Sequence, residues 1–427
     1  MVSTGMDMNK DFLLNESKTF CVFPWNHLHV TPIGTAAPCC IAESCSNHEG
    51  MGDAKSNRLM DLVNSPKMKQ LRLDMLNGVE SEECKKCYQH EKANIPSFRQ
   101  EGLRLYPETV EDAINTNEDG SVSEFNMRYF DMRFSNLCNF KCRTCGQEYS
   151  SQWELENHKN NIPYALTFPK GANKELLQDV VDQVSNLKKA YFAGGEPLIM
   201  EEHYLLLEEM IRQDRTDVAL VYNSNISNLN YKNKDLLGLW KHFKKHVQVY
   251  ASVDHVKERA EYIRHGTDWA TIEKNIIELR QHDFVKMTYN TVLSIFNILT
   301  IDQFYGYLVA NNLYTNTDLA VSLYCMSSPT YLSCHSMPNK FKDLGNNSID
   351  RAVHMFKVNN FMPSKVEYVA QAKNWAHSQD IWDEVNHTGN KNKISFRQEI
   401  ERLDKIRGEK FENVFPELIP LMELTHE

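Results

Sequence analysis

The stretch Arg128–Cys145, RYFDMRFSNLCNFKCRTC, decides the fold. Its first seven residues are rich in aromatic and apolar side chains and predict a strand, and a loop with the spacing C-x3-C-x2-C follows. The thiolates of Cys138, Cys142 and Cys145 can hold three corners of a cubane cluster and leave its fourth iron without a protein ligand. A zinc site normally has four closed ligands or includes histidine, and this loop has no histidine. The sequence therefore predicts a catalytic [4Fe–4S] cluster directly after a strand.

Short apolar segments alternate with amphipathic stretches beyond that loop. The predicted strands are Arg128–Phe134, Ala190–Ala193, Val218–Tyr222, Val247–Val253, Met287–Leu293 and Leu319–Tyr324. The predicted helices between them include Glu201–Arg212, Lys234–Lys245, Trp269–Gln281 and Ile301–Ala310. This alternation is typical of an α/β fold with parallel βα units, arranged as a partial (βα)6 barrel or as an open doubly wound sheet.

The composition excludes several classes of protein. The chain has 427 residues, of which 41% are hydrophobic and 24% charged, as in ordinary globular proteins. It contains no run of about 18 apolar residues, so no membrane span is expected. The first residues do not resemble a signal peptide, and we therefore expect a cytoplasmic protein. A formal net charge of -10 argues against a protein that binds nucleic acid mainly through electrostatics.

The eleven cysteines lie mostly in the first third of the chain, and their number is odd. Without a signal peptide, this usage favours metal or redox chemistry over a disulfide scaffold. Four thiols ahead of the first loop can close one tetrahedral zinc site or one [4Fe–4S] cluster, and residue types alone do not decide between the two. The candidate ligands are Cys21, Cys39, Cys84 and Cys87. Cys40 or Cys45 could take the place of Cys39 in this set.

The three-cysteine loop and the motifs after it resemble the radical S-adenosylmethionine (SAM) superfamily. GGEP at Gly194–Pro197, NSN at Asn223–Asn225, SVD at Ser252–Asp254 and Arg264 each stand at or just after a predicted strand end. Active sites of βα folds collect at such ends. The resemblance implies a SAM site made by Phe140, Gly194, Gly195, Glu196, Pro197, Asn223, Asn225, Ser252, Asp254 and Arg264. The resemblance implies that Arg264 pairs with the SAM carboxylate. Many family members have an aromatic residue near the adenine where this chain has Thr144, so Phe140 is a candidate for that contact.

The N-terminal cysteines resemble the auxiliary-cluster segment of the SPASM and twitch group of radical SAM enzymes. The shared pattern is C-x12-G-x4-C followed by C-x2-C, which here precedes the barrel instead of following it. LDKIRG at Leu403–Gly408 and FPEL at Phe415–Leu418 also resemble this twitch-like subgroup. The resemblance implies a second [4Fe–4S] cluster in the N-terminal segment.

These motifs predict a division of the chain. We expect a flexible arm at 1–18, a cysteine-rich auxiliary domain at 19–114, a linker at 115–126, a radical SAM partial barrel at 127–325 and a mostly helical region at 326–427. The polar, glycine-containing sequence NTNEDGSVSEFN marks the linker.

The resemblance implies an enzyme that reductively cleaves SAM to a 5′-deoxyadenosyl radical, which abstracts a hydrogen from a substrate carbon. The SPASM-like segment suggests a peptide or protein substrate that is crosslinked, oxidised or epimerised, with a sugar or nucleoside as the alternative. A reductant such as flavodoxin or ferredoxin is implied as a partner. A hypothesis of another class is a non-catalytic iron–sulfur or zinc protein that acts as a scaffold or electron carrier. The GGEP, SVD and Arg264 elements argue against it, because a scaffold needs no SAM pocket.

Overall fold

The computed structural model describes residues 10–47, 50–163, 168–386 and 395–424. Residues 1–9 of the predicted arm lie outside this part, and the rest of the arm includes a short helix, Phe12–Glu16, with Leu13 buried. The strands, in chain order, are β1 His27–Val30, β2 Thr35–Ala37, β3 Gly52–Asp53, β4 Tyr129–Met132, β5 Lys189–Phe192, β6 Ala219–Ser224, β7 Asn230–Tyr231, β8 Lys234–Asp235, β9 Val247–Ala251, β10 Val285–Leu293 and β11 Ser322–Cys325.

The chain forms two compact units, each assembled from several segments. The first contains residues 1–138, 155–221 and 234–246, and the second contains residues 139–154, 222–233 and 247–427. The division falls within β6 and within the helix Ser151–Lys159. The domain boundaries expected from the sequence remain predictions, and these units follow a different division.

The first unit is built around β4. This strand pairs in parallel with β5 on one side and with β1 on the other, and β2 and β3 continue antiparallel beyond β1. The cysteine-rich segment thus adds strands directly to β4. Its α-helices are Phe23–Asn26, Glu43–Asn47, Leu59–Val63, Pro66–Leu76, Lys85–Lys92, Phe98–Leu105, Val110–Ile114, Lys174–Asp182, Glu201–Arg212 and Leu236–Trp240.

The second unit contains the parallel strands β9, β10 and β11. Val247, Val249 and Ala251 of β9 are buried and alternate with half-buried residues, as in a strand packed mainly on one face. Its α-helices are Lys257–Ile263, Trp269–Arg280, Ile301–Ala310, Asn339–Val358, Pro363–Ala370, Trp382–Asn386, Phe396–Arg407, Phe411–Val414 and Ile419–Leu424. The predicted α/β class with largely parallel strands and a helical C-terminal region is confirmed.

Local sequence rules explain where several helices begin and end. The Ser65 hydroxyl accepts a hydrogen bond from the Met68 backbone N–H at 3.4 Å, and Pro66 opens the helix Pro66–Leu76. The predicted helices Glu201–Arg212 and Ile301–Ala310 have the expected bounds. The predicted helix Lys234–Lys245 is wrong at both ends, because β8 occupies its start and the α-helix covers only Leu236–Trp240.

The stretch 115–126, expected to be a linker, has no helix or strand but packs within the first unit. The buried Arg72 guanidinium donates to the Gly120 carbonyl at 3.2 Å, and Val122 and Phe125 are buried. A Cβ at Gly120 would lie 2.3 Å from the Lys69 carbonyl oxygen, and φ there is +81°, so both space and backbone favour glycine. Within the described ranges, no helix is long and apolar enough to cross a membrane.

Candidate active site

In the first unit, the GGEP element lies against the backbone that leads into Cys138. The Glu196 N–H donates to the Leu137 carbonyl at 2.7 Å. A Cβ at Gly195 would lie 2.1 Å from the same oxygen, which leaves no room for any side chain. Gly194 has φ +122° and faces the Arg133 side chain. Gly195 is therefore explained by a close approach of two backbones next to the first cluster cysteine, and Gly194 by its positive φ.

The Glu196 carboxylate belongs to the fold of its own segment. It is buried, and its Oε1 accepts a hydrogen bond from the Leu198 N–H at 3.0 Å. Pro197 then opens a single 3-10 turn, Pro197–Ile199. These contacts fix the turn that follows β5, so Glu196 and Pro197 help to hold the shape of the GGEP element.

In the second unit, the remainder of the cysteine loop pairs with the chain around Arg264. The Lys141 N–H donates to the His265 carbonyl at 2.9 Å, and the Arg143 N–H donates to the Ile263 carbonyl at 2.7 Å. Gly266, at φ +109°, brings its backbone against Phe140, since a Cβ there would lie 3.0 Å from the ring. The loop and the Arg264 segment are thus held together by their backbones.

The Arg264 side chain lies between a carboxylate and a cluster cysteine. Its Nε is 2.8 Å from Asp254 Oδ2, its Nη2 donates to Asp254 Oδ1 at 3.1 Å, and its Nη1 donates to the Cys142 sulfur at 3.9 Å. Asp254 also accepts a hydrogen bond from the Val292 N–H at 2.8 Å. Asp254 stands just beyond β9, so the end of a parallel strand positions a guanidinium beside the loop.

The NSN turn after β6 also contacts the cysteine loop. The Asn225 side-chain amide donates to Asn139 Oδ1 at 3.0 Å, and the Asn139 amide donates to the Ser227 hydroxyl at 2.8 Å. The Ser252 N–H donates to the Ser224 carbonyl at 2.7 Å. Asn225 and Ser252 thus lie at neighbouring strand ends of the second unit, as does Asn223, the first residue of the NSN turn.

The three loop thiols suit a cluster that takes up their charge. Cys138 and Cys142 are buried and Cys145 is half-buried. Burial raises the pKa of Cys142, although the Arg264 guanidinium opposes that rise, and burial and the Cys142 thiolate raise the pKa of Cys145 to about 12. Such thiols lose their protons readily only when a metal centre binds the thiolate. The residues fit an iron–sulfur cluster beside Arg264.

Four N-terminal thiols of the first unit interact with one another. Burial and then the Cys84 thiolate raise the pKa of Cys21, with a smaller effect from Cys87. Burial and then Cys87 raise the pKa of Cys84 to about 12. The pKa of Cys39 is raised by burial and by the thiolates of Cys40, Cys21 and Cys84. Cys39 thus lies close enough to Cys21 and Cys84 for their charges to affect its pKa, and the set of four ligands stays a prediction.

Cys40 and Cys45 have different surroundings. Burial and Asp131 raise the pKa of Cys40, and the Arg133 guanidinium opposes that rise. Burial, the Cys40 thiolate and Asp131 raise the pKa of Cys45, and Arg133 again opposes the rise. The choice of Cys39 over these two thiols as the ligand stays a prediction. Among the described residues, no three His, Cys, Asp or Glu side chains are grouped to hold a single metal ion.

Sequence reasoning missed two buried charged groups near these sites. Arg99 pairs with Glu91 at 2.6 Å, and its charge partly opposes the rise in pKa that burial causes at Cys21, Cys84 and Cys87. In the adjoining strands, His29 Nδ1 lies 2.9 Å from Asp131 Oδ2 because β1 and β4 pair in register. That second pair spans 102 residues of sequence, so no local pattern indicated it.

Two family models match this chain. The radical SAM superfamily model matches residues 132–305, and the iron–sulfur cluster-binding domain model named SPASM matches residues 21–88. These matches define a radical SAM enzyme with an auxiliary iron–sulfur domain. The two models place a radical SAM domain and an auxiliary iron–sulfur domain in this chain, and domains of these kinds use SAM, a [4Fe–4S] cluster and auxiliary iron–sulfur clusters. The zinc alternative for the N-terminal segment is therefore not supported. No curated protein matches the chain.

Several solved structures are similar over part of the chain. "Native anSMEcpe with bound AdoMet" is 18% identical, with a TM-score of 0.39, and the match covers 53% of this chain and 60% of that one. Streptococcus suis SuiB bound to precursor peptide SuiA is 12% identical, with a TM-score of 0.38, over 70% of this chain and 64% of that one. The chain spans about 60% of the length of the first of these proteins.

Proposed function

We propose that this protein cleaves SAM reductively and uses the resulting radical to abstract a hydrogen from a peptide or protein substrate. One observation carries the proposal: Arg264 is held by Asp254 and donates to the sulfur of Cys142. A carboxylate that enters beside Cys142 meets a guanidinium already in place, whose remaining N–H groups can donate charge-assisted hydrogen bonds to it.

The residues around this guanidinium have separate roles in the proposal. Asp254 fixes the direction of Arg264 and is itself fixed by the Val292 N–H. Cys138, Cys142 and Cys145 hold the catalytic cluster, and the backbone at Gly194 and Gly195 receives the SAM amine. When bound, the reduced cluster supplies the electron that splits the SAM sulfonium into methionine and a 5′-deoxyadenosyl radical. Burial of Phe140 and Cys142 keeps water from that part of the loop.

The substrate class is supported by the N-terminal segment. Its cysteines resemble the SPASM and twitch group, in which the substrate is typically a ribosomally made peptide, and the SPASM model matches residues 21–88. The four thiols Cys21, Cys39, Cys84 and Cys87 are enough to close a cubane, so no iron of that cluster is left to bind substrate. Cys21, Cys39, Cys84 and Cys87 would hold this cluster, and when bound it would supply an acceptor for the second electron of a two-electron oxidation of the substrate.

Anaerobic reconstitution tests the cofactor part of the proposal. We expect about eight irons per chain from two cubanes, and release of 5′-deoxyadenosine and methionine when dithionite and SAM are added. Replacing Cys138, Cys142 and Cys145 together with Ala should remove about half of the iron and all SAM cleavage. A fully loaded wild-type protein that never cleaves SAM would support the non-catalytic scaffold instead.

Substrate identity and the auxiliary cluster need a second experiment. Small peptides encoded by genes beside this one should be co-expressed with it and examined by mass spectrometry for a loss of two hydrogens. The variant Cys84→Ala/Cys87→Ala should still cleave SAM but not form the oxidised product. Normal oxidised product from that folded variant would leave the auxiliary cluster with a structural role only.

A further inference from the structure

A buried arginine inside the cysteine loop is held by the C-terminal region. Arg143, which follows Cys142, is 2% exposed. Its Nη2 lies 2.5 Å from Asp404 Oδ1 and 2.5 Å from Glu409 Oε2, and its Nε donates to the Tyr262 carbonyl at 3.2 Å. Its guanidinium carbon is 3.8 Å from the centre of the Tyr262 ring. A charge so completely removed from water is stable only when it is paired and hydrogen-bonded, as it is here.

The same two carboxylates hold the segment that carries Arg264. The Tyr262 hydroxyl donates to Asp404 Oδ1 at 2.6 Å, and His265 Nδ1 lies 2.6 Å from Glu409 Oε1. Residues 262 and 265 flank Arg264, and the backbone of 263–265 is paired with the cysteine loop. Asp404 and Glu409 therefore contact both the cysteine loop, through Arg143, and the segment 262–265 that pairs with it.

A third carboxylate of the C-terminal region holds the helix that leads to Arg264. Arg259 lies on the helix Lys257–Ile263, and its guanidinium makes two hydrogen bonds to Glu417, at 2.6 and 3.0 Å. Arg259 also donates to the Thr300 hydroxyl at 3.0 Å. The contacts with Glu417, Asp404 and Glu409 thus run along the whole segment from 259 to 265.

The carboxylates themselves are held rigidly. The helix Phe396–Arg407 ends at Gly408, whose φ of +67° turns the chain so that the Glu409 N–H donates to the Asp404 carbonyl at 3.1 Å. Asp404 Oδ2 accepts a hydrogen bond from the Phe411 N–H at 2.7 Å. Arg407 stacks on Trp153, 4.7 Å from the ring centre, and Trp153 Nε1 donates to the Cys142 carbonyl at 2.8 Å.

We propose that the C-terminal segment 404–417 is a positioning element of the active site, with Arg143, Asp404 and Glu409 as its positioning residues. It holds the cysteine loop and the Arg264 segment in one fixed arrangement, so that Arg264 meets the SAM carboxylate beside Cys142. This inference rests on the proposed function and gives the region beyond the radical SAM model, which ends at residue 305, a part in SAM binding.

The test compares reconstituted variants of the whole chain that each alter one partner of the ion pair between Arg143 and Glu409. Glu409→Gln removes one charge at nearly constant shape. Arg143→Lys keeps the charge but loses the Nε donor to the Tyr262 carbonyl and the planar group that lies on the Tyr262 ring. Glu401→Gln is the matched control. Glu401 lies on the helix that carries Asp404, its side chain is 55% exposed, and it pairs with Arg397 at 2.6 Å. Iron content, the dissociation constant for SAM and the electron paramagnetic resonance spectrum of the reduced cluster are measured for each.

We expect Glu409→Gln to weaken SAM binding about tenfold or more, because residues that orient a ligand's neighbours have effects of that size. The change that SAM produces in the resonance spectrum should shrink, while the iron of the auxiliary cluster stays. Arg143→Lys should bind SAM more weakly than wild type, and Glu401→Gln should match wild type. A double-mutant cycle with Arg143→Gln and Glu409→Gln should show strong non-additivity.

Wild-type affinity and an unchanged SAM-dependent spectrum in Glu409→Gln and Arg143→Lys would overturn the positioning role. If Glu409→Gln fails to fold, the result for Arg143→Lys decides. A wild-type protein that binds two clusters but neither binds nor cleaves SAM would overturn the proposed function itself. If the wild type cleaves SAM and the variants are unaffected, only the positioning role is overturned.

Discussion

Replacing Gly195 with alanine should damage the catalytic loop through a single methyl group. The added Cβ would lie 2.1 Å from the Leu137 carbonyl oxygen, 2.7 Å from its carbonyl carbon and 2.9 Å from the Asn136 carbonyl carbon. All three are backbone atoms, so no side chain can turn away to make room. The chain must separate at the point where it leads into Cys138.

The size of the effect follows from two contributions. Overpacking of this kind costs about 1–3 kcal/mol. Separation also weakens the hydrogen bond from the Glu196 N–H to the Leu137 carbonyl, 2.7 Å long, which is worth about 1 kcal/mol. We expect Gly195→Ala to lower the free energy of unfolding by about 2–4 kcal/mol in total. Because the displaced backbone precedes Cys138, iron should be lost from the catalytic cluster first.

Gly306→Ala is the matched control. Gly306 lies within the helix Ile301–Ala310, and a Cβ there would meet nothing within 4 Å. Alanine should stabilise that helix by about 0.5–1 kcal/mol. Urea unfolding, iron per chain and the rate of 5′-deoxyadenosine release are compared for both variants and the wild type. A Gly195→Ala protein with wild-type stability, iron and SAM cleavage would refute the argument from backbone contact.

Three further predictions follow from single contacts. Arg264→Lys should weaken SAM binding about tenfold or more, as measured by equilibrium dialysis, because hydrogen bonds to charged groups contribute about 1.5–3 kcal/mol and lysine cannot make the paired contact. Cys39→Ser should remove the auxiliary iron and Cys40→Ser should keep it, as measured by iron analysis; equal loss would contradict the separation of the two thiols. Burial lowers the pKa of His27 to about 4, below its ordinary value of about 6.5. The unfolded chain therefore takes up this proton first as the pH falls, and about 3 kcal/mol of stability should be lost between pH about 6.5 and about 4. His27→Gln should flatten that part of the pH dependence of urea unfolding, and an unchanged profile would exclude His27 as its source.

The sequence predicted much of the candidate site because its motifs are local. Cys138, Cys142 and Cys145 lie within eight residues, and the GGEP and SVD elements follow strands that their apolar side chains already indicated. The position of a motif after a parallel strand also predicts the edge of the sheet on which it lies. Such features depend on residue spacing and strand direction, which can be inferred from the local sequence.

The helix Lys234–Lys245 shows where local reasoning fails. Its residues have helical spacing, but Lys234 and Asp235 form β8 and only Leu236–Trp240 is α-helical. Tertiary contacts overrode a weak local preference there, as they commonly do for short segments. The stretch 115–126 is a similar case, since its polar composition indicated a linker but Arg72 holds Gly120 in place.

The sequence by itself indicated the class of chemistry, because the thiol spacing favours an iron–sulfur cluster and the strand-end motifs resemble those of radical SAM enzymes, and both are local features. Only the tertiary structure showed that the two adjacent thiols Cys39 and Cys40 have different charged neighbours, with Cys21 and Cys84 affecting the pKa of Cys39 and Asp131 and Arg133 affecting that of Cys40. It also brought Asp404 to Arg143, 261 residues away in sequence. Pairing at such separation depends on how helices and loops pack, and side-chain charge alone could not indicate which carboxylate meets which arginine.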